Sequence, residues 1–320
     1  MKIRVLDIAC PSKTDIDVDK RVHVSLVDGH VKRCVAAVTD TLKHSPAGYS
    51  DLQTAHVRWI FDAMGFTHVT IRNLLAEGTK APACVDALVL ARLQLEALYS
   101  ICLMVQDPAF IDIYVKRFWR DAYVRFLLER EERKGLARFD EYINQRALPL
   151  IEDLRRASGV TDDEKATVET EELGIPLSPG MTSAKIGTFP TPMGVIEKIT
   201  DAGRKKMLMR LYPEYRRLCA FAQGSAQAWM WKTAFWERSP LRPLLSDSQR
   251  QDHFEKEIAD PALLHSLLAV VQGTCEVATL YRADIELNRT AIEAWNLLSE
   301  MNLLGRTIWE IRGKSALGVI

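Results

Sequence analysis

From Asp51 onward, apolar residues recur at three- and four-residue spacing in long runs, and glycines and prolines cut those runs into helix-sized pieces. That period lines one face of an α-helix and does not fit the two-residue alternation of a half-buried strand. Asp51 stands as a cap before a run through His56, Trp59, Ile60 and Met64 to Leu75, broken by Gly78 and Pro82. A second run over 83–106 stops at Asp107-Pro108, because the residue before a proline is pushed out of the α region. A third, about 110–134, carries Tyr114, Phe118, Trp119, Tyr123, Leu127 and Leu128. It ends in the mixed-sign stretch Glu129 to Lys134, a solvated helix end, with Gly135 as its cap. Further helices are expected over about 140–157, 195–211, 213–237, 260–285 and 288–312.

Two stretches depart from this rhythm. In residues 1–50, Val22, Val24 and Leu26 alternate before Asp28-Gly29, the pattern of a small hairpin, while Val31 to Leu42 reads as helix. Residues 174–194 hold Gly174, Pro176, Pro179, Gly180, Gly187, Pro190, Pro192 and Gly194, the strongest loop signal in the chain. The expected fold is therefore an all-α bundle of about eight to ten helices, with a small N-terminal strand pair as an option. The expected organisation is an N-terminal segment 1–50, a helical region 51–173, the loop 174–194, and another helical region 195–320. The two helical regions are expected to pack together as a single domain.

A chain of 320 residues buries roughly three quarters of its unfolded surface, so a core of this size needs neither disulfides nor metal. Lys plus Arg equals Asp plus Glu at 42 each, and no overall field draws the chain to nucleic acid or to an anionic membrane. Cys10, Cys34, Cys84, Cys102, Cys219 and Cys275 form no C-x-x-C pair and sit mostly in apolar stretches, as thiols used as small hydrophobes do. Asp7 and Pro11 interrupt the N-terminal stretch, so no secretory leader is expected. Val85 to Val105 is the most apolar stretch, yet it carries Asp86, Arg92, Gln94 and Glu96, a load that fits a buried helix better than a membrane span. A cytoplasmic protein is expected, without membrane contact.

The sequence holds no phosphate-cradling glycine loop, no G-x-S-x-G, no H-E-x-x-H and no Glu-x-x-His pair. Its seven histidines are dispersed, so no metal and no cofactor is expected; His265, beside Leu263, Leu264 and Leu267, reads as structural. Two polar motifs remain. Arg92 and Glu96 lie four apart on a helix that is otherwise apolar nearly all round. Such a pair reads first as a buried clasp between helices and second as a site. Further on, Tyr215, Cys219 and Gln223 share one helix face, with Arg216 and Arg217 beside it and Gly224-Ser225 allowing close backbone approach. That stripe is expected to pack against the helix of Arg92 and Glu96. Arg204, Lys205, Lys206 and Arg210 form a modest basic patch upstream, a pattern usually found on a solvated face.

The spacing Arg92-x-x-x-Glu96, followed by Tyr215-x-x-Leu218-Cys219-x-x-x-Gln223-Gly224-Ser225, resembles a bacterial all-helical family of unknown function. Its members carry Arg-x-x-x-Glu and then Tyr-x-x-Leu-Ser-x-x-x-His-Gly/Pro-Ser, and the likeness spans roughly residues 55–285. Here Cys219 stands for the usual Ser and Gln223 for the usual His. That family is similar in turn to the HEPN group, which implies a HEPN-like core and metal-free RNA cleavage by a nearby Arg and His. Gln223 cannot exchange protons near neutral pH, so a nuclease ancestry would leave this copy silent by that route. Three functions follow as expectations. The first is a non-enzymatic interaction or regulatory protein with a buried polar site. The second is a HEPN-like ribonuclease or toxin/phage-defence component, active or silenced. The third is a small-ligand pocket lined by Arg92, Glu96, Tyr215 and the tryptophans. The partners expected are a protein or RNA, and a homodimer is open.

Overall fold

The computed structural model describes residues 24–76, 82–223, 232, 246–282 and 284–318. Its structure is all-helical, 81% helix in eleven helices with no strand among the described residues. The helices are α1 (Val24–Thr41), α2 (Asp51–Ala76), α3 (Asp86–Gln106) and α4 (Ala109–Glu132). Next come α5 (Ala137–Tyr142, a π turn Ile143–Ala147, then Leu148–Ala157), α6 (Asp162–Leu173), α7 (Pro192–Lys198) and α8 (Ala202–Ala222). The last are α9 (Asp247–His253, a π turn Phe254–Ala259, then Asp260–Ala278), α10 (Ile285–Met301) and α11 (Leu303–Ile308, a π turn Trp309–Gly313, then Lys314–Leu317).

The count is slightly above the eight to ten expected, because local caps divide runs that periodicity alone joins. The run over 288–312 breaks at Asn302, whose extended backbone closes α10 while its side chain accepts from the amides of Leu304 and Gly305 to start α11. The acidic stretch after Gly159 is a helix: Thr161 and Glu164 form a reciprocal capping box, and Gly174, at φ 68°, ends α6 in the left-handed region. Tyr212-Pro213 does not end a helix; α8 runs from its Asp201 cap straight through Pro213. Val24, Leu26 and Asp28-Gly29 lie inside α1, so over these residues the hairpin gives way to a helix whose apolar face, Val27, Val31, Cys34 and Val38, is buried. Val22 lies outside the described residues.

The chain forms two compact units, Met1–Gln106 with Pro192–Ile320, and Asp107–Thr191. These boundaries differ from those of the regions 51–173 and 195–320 read from the sequence. The divisions fall at Asp107 and Pro192 because α3 packs on α2, α8 and α9, whereas α4 packs on α5 and α6. In the first unit, α9 is the central helix, and every residue from Ala262 to Ala278 is buried. Gly273 lets it come close: a Cβ there would stand 3.1 Å from the Phe61 ring of α2. Helices Ala83–Gln106 and Asp247–Ala278 are long and apolar enough to cross a membrane, and 67% and 78% of their apolar windows are buried inside the protein, as in core helices of globular domains. The described thiols fit the same core: Cys34, Cys84, Cys102 and Cys275 are buried, and burial raises Cys34 and Cys84 to about 12. Cys10 lies outside the described residues.

The second unit is built on Trp119, Tyr123, Phe126, Leu127, Ile143, Ile151, Val160 and Val168. Its proline- and glycine-rich residues 174–191 are tied back onto α4 and α6. Thr182 donates to Asp163 at 2.8 Å, the amide of Ala184 donates to Thr167 at 3.0 Å, and Phe189 sits edge-on to Tyr114 at 5.0 Å.

Candidate functional site

α3 and α8 pack side by side, which brings the two sequence motifs together as expected. Arg92 donates to Glu96 Oε2 at 2.8 Å, while the Tyr215 hydroxyl donates to Glu96 Oε1 at 3.4 Å. The Arg92 guanidinium lies over the Tyr215 ring, 5.6 Å from its centroid, a cation–π geometry. Tyr215 stacks at 6.0 Å on Tyr212 and meets Tyr99 at 5.9 Å; Tyr99 is anchored by donating to the carbonyl of Leu208 at 2.8 Å. Burial, and then Glu96 and Cys219, raise the Tyr215 phenol to about 12 despite Arg92 beside it, so it stays a hydrogen-bond donor at neutral pH. Desolvation works against the charge on Arg92, but Tyr215 and Glu96 outweigh it and hold the guanidinium above its ordinary value.

The site is not the buried one that the apolar helix suggested. The Arg92 and Glu96 side chains keep 22% and 35% of their exposure, and Leu93 between them is exposed. The reason is that the buried side of α3 is the one carrying Ala91, Gln94, Leu95 and Leu98, about a third of a turn away. Within this open cluster the Nε of Arg92 is itself enclosed and has no hydrogen-bond partner. The second motif opens outward along α8. Tyr215 is buried, Cys219 half-buried, and Arg216, Arg217 and Gln223 are exposed, with Gln223 as the helix C-cap. Ser225 and the tryptophans Trp229, Trp231 and Trp236 lie outside the described residues.

The basic patch does not form as expected. Lys206 and Arg210 are exposed and Lys205 half-buried, but Arg204 is buried in a charge network that sequence reasoning missed. The centre of that network is Glu276, fully buried on α9. Arg204 Nε donates to Glu276 Oε2 at 2.8 Å, Arg312 donates to both carboxylate oxygens at 2.9 Å, and Gln272 donates to Oε1 at 2.8 Å. Asp201, which caps α8, lies 3.4 Å from Arg312 and balances the second guanidinium. Burial pushes the Glu276 carboxyl upward, but Arg312 and Arg204 outweigh it and leave the group below its ordinary value, hence ionised.

A second buried network joins α1, α2, α3 and α9. His68 Nε2 lies 3.1 Å from Asp28 and its Nδ1 2.9 Å from the hydroxyl of Ser266, while Gln94 reaches Ser266 at 3.2 Å and the carbonyl of Met64 at 2.8 Å. The order Asp, His, Ser resembles a nucleophile chain, but Ser266 is wholly enclosed in the core and no substrate reaches it. A neutral His68 that donates to Asp28 and accepts from Ser266 satisfies both ring nitrogens. Burial holds the His68 pKa below its ordinary value against the opposing pull of Asp28. Burial also pushes Asp28 upward, and Lys32 and Arg72 more than offset it. Both shifts have the same sign for stability. What His68 contributes is present in full above its unfolded pKa of about 6.5 and is lost as pH falls through its folded value; the Asp28 contribution is lost further down, below about 3.9. We expect the urea midpoint to fall between pH 7 and pH 5, and a His68→Gln variant to lack that step. A midpoint that is flat across this range in the wild-type chain would contradict the assignment.

His265, read as structural, has its Nδ1 2.6 Å from the carbonyl of Pro261 and its Nε2 3.4 Å from Glu214. No group of three or more His, Cys, Asp or Glu able to hold a metal occurs among the described residues. No protein family model, no curated protein and no solved structure matches this chain.

Proposed function

We propose that this chain is a non-enzymatic, cytoplasmic interaction protein with a regulatory role, and that the Arg92–Glu96–Tyr215 cluster on α3 and α8 is its recognition point. The observation that carries this reading is the open edge of the cluster. A polar clasp that only held helices together would be enclosed, as Glu276 is, whereas Arg92 and Glu96 reach the surface beside exposed Leu93 and Arg216. The same groups also satisfy one another, with both Glu96 oxygens occupied and the Tyr215 phenol held protonated, an arrangement suited to binding rather than to moving protons.

The test is the denaturant stability of Arg92→Ala and Glu96→Ala, each paired with a ribonuclease assay of wild type and Gln223→His. A half-exposed pair contributes up to ~1 kcal/mol, so each variant should unfold within ~1 kcal/mol of wild type. None of the proteins should cleave RNA. A loss of several kcal/mol would make the cluster a structural clasp, and cleavage by the wild-type chain would overturn the non-enzymatic reading.

A second reading, a HEPN-like core directed at RNA, has one observation in its favour. Lys206, Arg210 and Arg217 recur at near-whole turns on the exposed face of α8, which ends at exposed Gln223. Phosphate contacts through that face would give RNA binding that weakens steeply with salt and falls in Lys206→Ala and Arg210→Ala. Binding independent of salt, or none, removes this reading.

A further inference from the structure

α8 is strongly basic within a chain whose charges cancel at 42 of each sign. Residues 202–222 carry six basic side chains and one acidic one. Arg204 is paired with Glu276, and Glu214 with Arg217 and His265, while the cap Asp201 faces Arg312. Lys205, Lys206, Arg210 and Arg216 are left with no carboxylate partner among the described residues; Arg216 reaches the Tyr212 phenol instead. The outward side of the helix is well defined. Lys206, Met209, Arg210, Pro213, Arg216 and Arg217 fall within about a third of a turn, and all are exposed. Met209, at 58% exposure, and Pro213 form an apolar strip down the middle. Lys206, Arg210 and Arg217 flank the strip on one side, and Arg216 flanks it on the side of Tyr212 and the Arg92–Glu96 cluster.

We propose that this face of α8 docks an acidic amphipathic helix of a protein partner, which sets carboxylates on Lys206, Arg210 and Arg216 and apolar side chains on Met209 and Pro213. The unmatched cations require an anionic occupant, and the strip between them selects which kind. A single-stranded RNA pairs its phosphates with cations and stacks its bases on aromatic platforms. α8 presents no such platform on this face: Tyr212 and Tyr215 stack on each other, and Tyr215 is buried. An anionic bilayer is held by several large apolar side chains that dip below the headgroups, for which Met209 and Pro213 are too few. An acidic helix with an apolar face supplies both contacts at once. Lys206, Arg210 and Arg217 recur at near-whole turns, the spacing of carboxylates along a helix lying beside α8. From Lys206 to Arg217 the face is ~17 Å long, about three turns of a partner helix. A contact of that size is below a standard interface, so the complex is weak and sensitive to salt. The inference deepens the recognition reading of the α3–α8 edge, since Arg216 borders both surfaces, and the test below lets either fail alone.

The probe is a labelled, end-blocked helical peptide with glutamates at four-residue spacing on either side of a leucine strip, titrated with the full chain and followed by fluorescence anisotropy. Arg210→Glu should weaken binding at least ~tenfold. Met209→Ser should weaken it about fivefold through the lost apolar contact. Both residues are exposed, so the circular dichroism spectra should not change. No binding overturns the proposal. So does binding that is indifferent to Met209→Ser and equal for a scrambled peptide of the same composition, which would be bulk charge attraction. Tighter binding of oligouridylate, or of phosphatidylserine vesicles, at the same residues overturns it in favour of RNA or a membrane. Loss in Arg210→Glu and Met209→Ser with none in Arg92→Ala supports the docking face and removes the Arg92 cluster as recognition point. The reverse pattern overturns the docking face and leaves the cluster standing.

Discussion

Glu276→Ala should destabilise the chain by about 3–5 kcal/mol, the largest effect expected of any single polar substitution here. The carboxylate is fully enclosed and accepts from Arg204, Arg312 and Gln272. Removing it strands the buried Arg204 guanidinium and leaves Arg312 with Asp201 alone, and the cost is mainly that of the charges left behind. Glu276→Gln keeps the shape and one acceptor oxygen, so it should fall between the two. Lys206→Ala, on the exposed side of α8, should leave the urea midpoint where it is. If Glu276→Ala unfolded at the wild-type midpoint, the network would not hold the α8, α9 and α11 segments together.

Trp119→Ala should cost about 3–5 kcal/mol in the second unit and leave the first intact. The Trp119 side chain is fully buried, stacks on Tyr123 at 4.8 Å and donates its indole N–H to the carbonyl of Ile151 at 3.3 Å. Its loss leaves a void between α4 and α5. Because the residues of 107–191 close their own core, amide hydrogen exchange should speed up in α4 and α6 while α9 keeps its protection. Equal loss of protection in α9 would show that the two units open as one.

Helix content was legible because periodicity is a local property: three- and four-residue spacing specifies an α-helix whatever the helix packs against. The meeting of Arg92 and Glu96 with the Tyr215 stripe was also legible, since both are polar interruptions of apolar helix faces that need partners. Their exposure was not. A helix rich in Leu, Val and Ala looks enclosed in sequence, and only the placement of α2, α8 and α9 around α3 shows which few degrees of its surface are left open. Arg204 makes the same point in reverse. Beside Lys205 and Lys206 it reads as part of a solvated run, yet its partner is Glu276, on another helix.

Secondary structure, most helix ends, the use of thiols as core hydrophobes and the pairing of the two polar motifs could all be read from the order of the amino acids. Each depends on patterns set within a few turns of helix. Where the chain divides into units, how residues 174–191 fold back on α4 and α6, and how Glu276 and His68 organise buried networks emerged with the packing of the helices. Those outcomes depend on contacts between residues far apart in the chain. Burial and charge pairing there follow from which helices become neighbours, and periodicity specifies only that each helix has a face to bury.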